Sequence, residues 1–237
     1  MVFLASAFHG LCIFGVLAAL VYLFYGKVPP RKKMGQTVRP IDVLRLFSHG
    51  YMWLCGGIQY IRLAVFQGIT LWLPSLLINE KGLSLQAAGL VIAFRGLMFP
   101  PPNIIGGYLS DRLKKPTTLI SFSLLILAIT TILIVRTDHM FLLVLFIVLN
   151  ALFLQVYFGP LFALPIERYG AHMMGSLSGF GNLFANLGGI TFSFLVGLIK
   201  DKTGLFESGF YAISLACILG IVFTLFLEKM RRDPPAS

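Results

Sequence analysis

Seven long apolar runs fill most of this 237-residue chain: about Met1–Tyr25, Tyr51–Ile78, Ala87–Tyr108, Thr117–Val135, Met140–Ile166, Met174–Ile199 and Gly209–Leu227. Each is close to or longer than the ~20 residues an α-helix needs to cross a bilayer. Hydrocarbon offers the backbone no hydrogen-bonding partner, so such runs are expected to fold as membrane-spanning helices. The fold class expected is therefore all-α, a polytopic bundle of about seven helices in contact with lipid. Only 12% of the residues are charged, against roughly 25% in a soluble domain.

The net charge of +10 does not point to nucleic acid, because the cations lie in the gaps between apolar runs. With successive helices antiparallel, one side of the membrane receives Lys27, Arg31, Lys32, Lys33, Arg39, Arg45, Arg112, Lys114, Lys115, Arg168, Lys229, Arg231 and Arg232. The other receives Lys81, Arg136, Lys200 and Lys202. Positive charge concentrates on the cytoplasmic side, which predicts a cytoplasmic C-terminus and an external N-terminus in a cell membrane. Residues 1–25 lack the basic start of a signal peptide and are read as a helix. His9 within it is read as a packed neutral residue rather than a proton carrier. Residues 26–46 form a basic connection held to anionic lipid, begun by Pro29-Pro30, where a helix cannot continue. Residues 47–237 form a six-helix unit. Cys12, Cys55 and Cys217 are far apart and give neither metal-ligand spacing nor a disulfide framework. No cofactor or metal is expected, and no cluster of His, Asp and Glu at one depth suggests an embedded enzyme.

Two arginines complete the nineteen cations, and both lie inside apolar runs. Arg62 is about 16 Å along its helix from one end and Arg95 about 20 Å above Tyr108. Both depths are near the middle of a ~30 Å hydrocarbon layer. A charge there is costly and is a functional candidate by default. Arginine stays protonated and forks onto carboxylates and similar anions. Arg62 and Arg95 are therefore candidate binding residues for a small anionic substrate; an ion pair or snorkelling is the structural alternative. All nine acids fall in loops or at helix ends, so no intramembrane carboxylate is offered as a proton relay.

Gly175, Gly179, Asn182, Asn186, Gly189, Ser193 and Gly197 recur at three- and four-residue steps, which places them on one helix face. The glycines are read as helix-packing residues. Asn182 and Asn186 are read as facing either a neighbouring helix or a solute pathway. Asn150, Gln155 and Tyr157 are further candidate pathway polars. Pro100-Pro101-Pro102 and Gly159-Pro160 are expected to interrupt their helices, which is tolerated where protein or water satisfies the freed carbonyls.

Between the third and fourth runs stands Gly106-Gly107-Tyr108-Leu109-Ser110-Asp111-Arg112-Leu113-Lys114-Lys115. It resembles the signature loop of the major facilitator superfamily of transporters, Gly-x-Leu-(Ala/Ser)-Asp-Arg-x-Gly-(Arg/Lys)-(Arg/Lys). Gly107, Leu109, Ser110, Asp111, Arg112 and Lys115 match. Lys114 stands in place of the turn glycine, so Gly106-Gly107 is expected to supply the flexibility. The resemblance covers nearly the whole chain and implies its second half: residues 1–25 as helix six, 26–46 as the central loop, the rest as helices seven to twelve. Trp72 to Leu77, Gly82-Leu83-Ser84 and Ala87-Ala88-Gly89 are similar to anion and cyanate-type permeases. Gly197 with Asp201-Lys202-Thr203-Gly204 is similar to organic-anion members.

What the resemblance implies is secondary transport by alternating access, with Gly107, Asp111, Arg112 and Lys115 as a gate. Asp111 would accept from a neighbouring helix N-terminus, and Arg112 would pair with an acid. The implied partners are a small anionic solute, the bilayer, and a missing N-terminal half or a partner chain, without which the chain is expected to be inactive. Efflux of an amphipathic compound, and a truncated non-transporting fragment or scaffold, are the alternatives; short loops on every side argue against a receptor.

Overall fold

The computed structural model describes residues 40–232, together with 13, 15–17 and 19–24. Most of the expected first span and of the basic connection lies outside the described residues, His9 and Cys12 included. Within the first span, Gly15–Phe24 is an apolar helix with exposed side chains such as Leu17 and Phe24. It belongs to a unit of its own, Met1–Thr37, and the rest of the fold is the unit Val38–Ser237.

The second unit is built from helices α1 (Pro40–Leu46), α2 (Gly50–Ser75), α3 (Leu85–Leu97), α4 (Pro100–Leu113), α5 (Pro116–Arg136), α6 (Met140–Val156), α7 (Phe158–Tyr169), α8 (Met174–Thr203) and α9 (Glu207–Arg232). They combine into six runs long and apolar enough to cross a membrane: Gly50–Glu80, Leu85–Leu113, Pro116–Arg136, Met140–Tyr169, Ala171–Thr203 and Glu207–Arg232. These correspond to the last six apolar runs of the sequence. Helix α1 was not expected, because its seven residues carry too little periodicity to stand out. Proline at the first position suits helix entry, Asp42 lies in the first turn and Arg45 in the last, where each complements the helix dipole. Its Leu46 is buried with Met52, Met173, Leu177 and Phe180.

Helix α2 is the hub. Its Ile58, Ile61, Val65, Ile69 and Leu73 share one core with Ile120 and Leu124 of α5, Leu143 and Ile147 of α6, and Phe210, Ile213 and Cys217 of α9. Two close approaches fix the arrangement. Gly188 of α8 lies against the backbone of Tyr60, and Gly106 of α4 against the backbone of Val156; a side chain at either would overlap a carbonyl oxygen. The backbones meet there because glycine has no Cβ, as is usual for helices packing in lipid.

Two spans are broken. The run Leu85–Leu113 stops at Met98-Phe99 and restarts on the three prolines, and Met140–Tyr169 is interrupted at Tyr157 before Gly159-Pro160. Pro74 inside α2 has no N–H for the carbonyl of Thr70, and a single π-helical turn, Leu76–Glu80, follows.

Charge sits at the two ends. At one, Lys81 contacts Asp138 and the carbonyl of Val135, both at 2.8 Å, and Glu80 accepts the Phe206 N–H at 3.0 Å. At the other, Arg168 donates to the Met230 carbonyl at 3.0 Å and lies 4.4 Å over the Tyr51 ring. Arg231 and Arg232 approach Glu167 and Glu228 at 3.6 and 2.9 Å.

The end of α4 overturns one expectation. Lys114 takes the turn itself, with φ 52° and ψ 24°, and its N–H bonds the Ser110 carbonyl at 2.9 Å. Gly106 is committed to the contact with Val156 and so does not supply the turn. A non-glycine residue in left-handed geometry costs about 1 kcal/mol. Lys114→Gly is therefore expected to raise stability by about that amount, read as a higher midpoint in thermal unfolding of the detergent-solubilised protein.

Candidate functional site

Arg62, Phe66 and Thr70 stand four residues apart along α2 and so form one stripe on its surface. Gln59, one turn before Arg62, extends it. The stripe holds two buried arginines at separate points. Arg62 is buried; its Nε donates to Gln59 Oε1 at 3.0 Å, and its guanidinium lies 4.4 Å from the centre of the Phe158 ring. Arg95, only 2% exposed, reaches back from α3 to the same stripe. Its Nη1 donates to Thr70 Oγ1 at 2.9 Å, and the guanidinium lies 5.9 Å from the Phe66 ring and 5.2 Å from Phe99. Phe66 and Phe99 touch each other with centroids 5.6 Å apart.

The two helix breaks position these arginines. Phe99 occupies the gap between α3 and α4, four residues after Arg95, and Phe158 begins α7 directly after the break at Tyr157. Tyr157 itself is fully buried, and its hydroxyl has no hydrogen-bond partner among the described residues. Arg95 and Tyr108 thus lie on two helices, α3 and α4, rather than on one continuous helix.

Neither arginine makes an ion pair among the described residues. Snorkelling is also absent, since both are buried. Cation–π contacts and single hydrogen bonds offset part of the cost of burial. Arg95 nevertheless keeps Nε and Nη2 buried with no hydrogen-bond partner among the described residues. Those two nitrogens are the side-on edge of a guanidinium, the edge that takes two oxygens of one anion.

The other candidates are distributed differently. Asn150 is fully buried between α6 and α5, where Nδ2 donates to Thr130 Oγ1 at 3.1 Å and Thr131 Oγ1 at 3.2 Å. That makes Nδ2 a helix-to-helix clamp, while Oδ1 is buried with no partner among the described residues. Gln155 is buried in the last turn of α6. Asn182 and Asn186 are exposed on α8, and Asn186 bonds back to the Asn182 carbonyl at 2.8 Å.

The glycine face on α8 packs only in part as the sequence suggested. Gly175 and Gly179 have open space around them, while Gly181, Gly188, Gly189 and Gly197 meet Gln59, Tyr60, Gln67 with Leu63, and Trp72 of α2. Gly189 and Gly197 thus pack as read, Gly181 and Gly188 join them from outside that row, and the exposed asparagines border the contact rather than fill it.

Gly107 of α4 lies beside Gly159 of α7. Asp111, Arg112 and Lys115 are exposed, and among the described residues none has an ion pair or side-chain hydrogen bond. The helix-terminus contact for Asp111 and the acid for Arg112 are thus not made among the described residues. Sequence reasoning missed Gln59 and Thr70 as the residues that hold the arginines. Gln59 had a signal, its three-residue spacing from Arg62; Thr70 had none, because its partner comes from another helix.

The comparisons agree with this architecture. Among solved structures, a bacterial homologue of the human lysosomal transporter Spinster, inward-facing and unoccupied, superposes with a TM-score of 0.67 at 16% identity. It covers 94% of this chain and 59% of that one. Tetrameric PepTSo2 gives 0.60 at 17% identity over 76% and 39%. At such identities the likeness is one of fold. A probable galactarate/D-glucarate transporter of Bacillus subtilis (strain 168) is 26% identical over 183 residues, and a hexuronate transporter of the same organism 27% over 180. Each alignment takes 70% of this chain, which spans about two fifths of the length of these relatives. The sequence profile of the Major Facilitator Superfamily matches residues 3–193 and, in a second overlapping match, 104–237. With the helix content, the signature loop and the fold pointing the same way, the chain is a multi-pass membrane protein that belongs to the major facilitator superfamily.

Proposed function

We propose that the chain forms the C-terminal half of a secondary transporter that carries small organic acids across a cell membrane by alternating access. The single observation that carries this is the pair of buried arginines with no ion pair among the described residues, set beside two mid-span helix breaks. Transporter sites are built from discontinuous helices near the midplane, and a dry, unpaired cation is a poor structural element but a good anion receptor. The relatives named for galactarate, D-glucarate and hexuronate transport support a sugar-acid solute.

The other half would cover the spans that are least enclosed, Leu85–Leu113 and Ala171–Thr203, where 22% and 28% of the most apolar window is buried, against 56% in Pro116–Arg136. That places Asn182 and Asn186 at the seam and brings a helix terminus to Asp111 and an acid to Arg112. Those contacts close the cytoplasmic side in one state and part in the other, with Gly107 and Lys115 in the moving loop. The C-terminus is cytoplasmic, from the distribution of Lys and Arg.

The test introduces Arg62→Gln and Arg95→Gln at the chromosomal locus, so that whatever completes the pathway is present. Uptake of labelled D-glucarate and of a hexuronate is then measured in cells. Each variant is expected to reach the membrane at normal levels and to lose at least about tenfold in uptake. Uptake that survives both substitutions unchanged would remove the arginines from the site.

A further inference from the structure

We propose that Thr70 is a positioning residue that turns Arg95 into a receptor for one carboxylate group; this rests on the organic-acid reading above. A guanidinium has five N–H donors in a rigid fork. Thr70 Oγ1 takes one from Nη1 at 2.9 Å. Phe66 and Phe99 bound the group at 5.9 and 5.2 Å. Of the four donors left, two share the Nε/Nη2 edge, whose two nitrogens are completely covered and have no partner among the described residues. The geometry leaves that edge for two oxygens borne on a single atom.

Charge selects the kind of anion. Among the described residues Arg95 has no second cation beside it: its contacts are a hydroxyl and two rings. A carboxylate brings one negative charge and is neutralised by one guanidinium. A phosphate group brings about one and a half to two, and the excess would stay buried without a partner, which is strongly unfavourable. Inorganic phosphate has the two oxygens but not the matching charge.

Arg62 does not share the same group. It lies eight residues before Thr70 on α2, about 12 Å along the axis, and its Nε is directed back to Gln59. A single carboxylate therefore engages Arg95 without bridging to Arg62. Entry passes Phe99, which sits in the break between α3 and α4. The receptor is closed in this conformation, and it opens when the two halves of that span change their angle.

The test compares Thr70→Val, which keeps shape and loses the acceptor, with Thr70→Ser, which keeps the acceptor. Both are placed at the chromosomal locus beside Arg95→Gln, and galacturonate is the transported probe, with inorganic phosphate and neutral galactose as competitors. Thr70→Val is expected to raise KM for galacturonate about tenfold with maximal rate within about twofold, and Thr70→Ser to restore KM. Excess unlabelled galacturonate competes; phosphate and galactose do not. A KM unchanged in Thr70→Val overturns the proposal, as does Thr70→Ser behaving like Thr70→Val, or phosphate competing as well as the carboxylate. If Arg95→Gln stops uptake while Thr70→Val leaves KM unchanged, the positioning role alone fails. If wild type takes up neither galacturonate nor D-glucarate, or Arg95→Gln transports normally, the organic-acid reading fails and this proposal with it.

Discussion

Arg95→Met is expected to make the protein more stable and to leave it without transport. The side chain is 2% exposed, meets no carboxylate among the described residues, and keeps two nitrogens buried without a partner. Removing the partner from a buried pair costs 3–5 kcal/mol, because an uncompensated charge remains. Arg95 stands in that condition already, relieved by one hydroxyl and two aromatic rings. Methionine fills a similar volume and adapts its shape, so the gain should be about 3 kcal/mol. Thermal unfolding in detergent would show a midpoint several degrees higher, and uptake at the chromosomal locus would vanish. Stability traded against activity is a mark of functional sites. A lower midpoint for Arg95→Met would show instead that the arginine serves packing.

The second large effect comes from the glycines at the two backbone contacts. Gly188→Ala would drive a methyl group into the carbonyl of Tyr60, and Gly106→Ala into that of Val156. Neither obstacle is a flexible side chain, so a helix must move. The cost should exceed about 3 kcal/mol, the upper range for overpacking, and appear as aggregated or poorly expressed protein in gel filtration. Gly179→Ala is the internal control: it lies on the same helix as Gly188 with nothing within 4 Å of the added group. It should be neutral or stabilising by up to about 1 kcal/mol, the helix-propensity difference. Equal behaviour of Gly179→Ala and Gly188→Ala would show that α2 and α8 are not joined at Tyr60.

These predictions draw unequally on sequence and structure. The last six spans were legible because bilayer thickness imposes a length and hydrocarbon imposes a composition, and both are local properties. The helix breaks were legible for the same reason, since Pro100-Pro101-Pro102 and Gly159-Pro160 act on their own backbone. Arg62 and Arg95 stood out because a charge inside an apolar run is anomalous wherever it points. Direction was another matter. Asn150 looked like Asn182 in sequence, yet one clamps Thr130 and Thr131 while the other is exposed. Of the glycines that touch α2, Gly189 and Gly197 lie in the row read from sequence while Gly181 and Gly188 do not, and composition does not distinguish them. Thr70 is one of many threonines until a second helix delivers Arg95 to it. Lys114 shows the reverse limit: the turn was required by the chain's path, and the residue present adopts it at a cost.

The contact at Gly106 has a mechanical consequence. Below the break at Met98-Phe99, α4 is pinned to the backbone of Val156 and lies beside Gly159, so it behaves as a fixed post. Above the break, α3 carries Arg95 and, with open space at Gly89 and Gly96, has no such backbone contact at its glycines. The span is thus a post with a short lever hinged on top. Backbone amides of α3 should exchange with solvent deuterium sooner than those around Gly106, and occupancy of Arg95 should slow them by fastening the lever to Thr70.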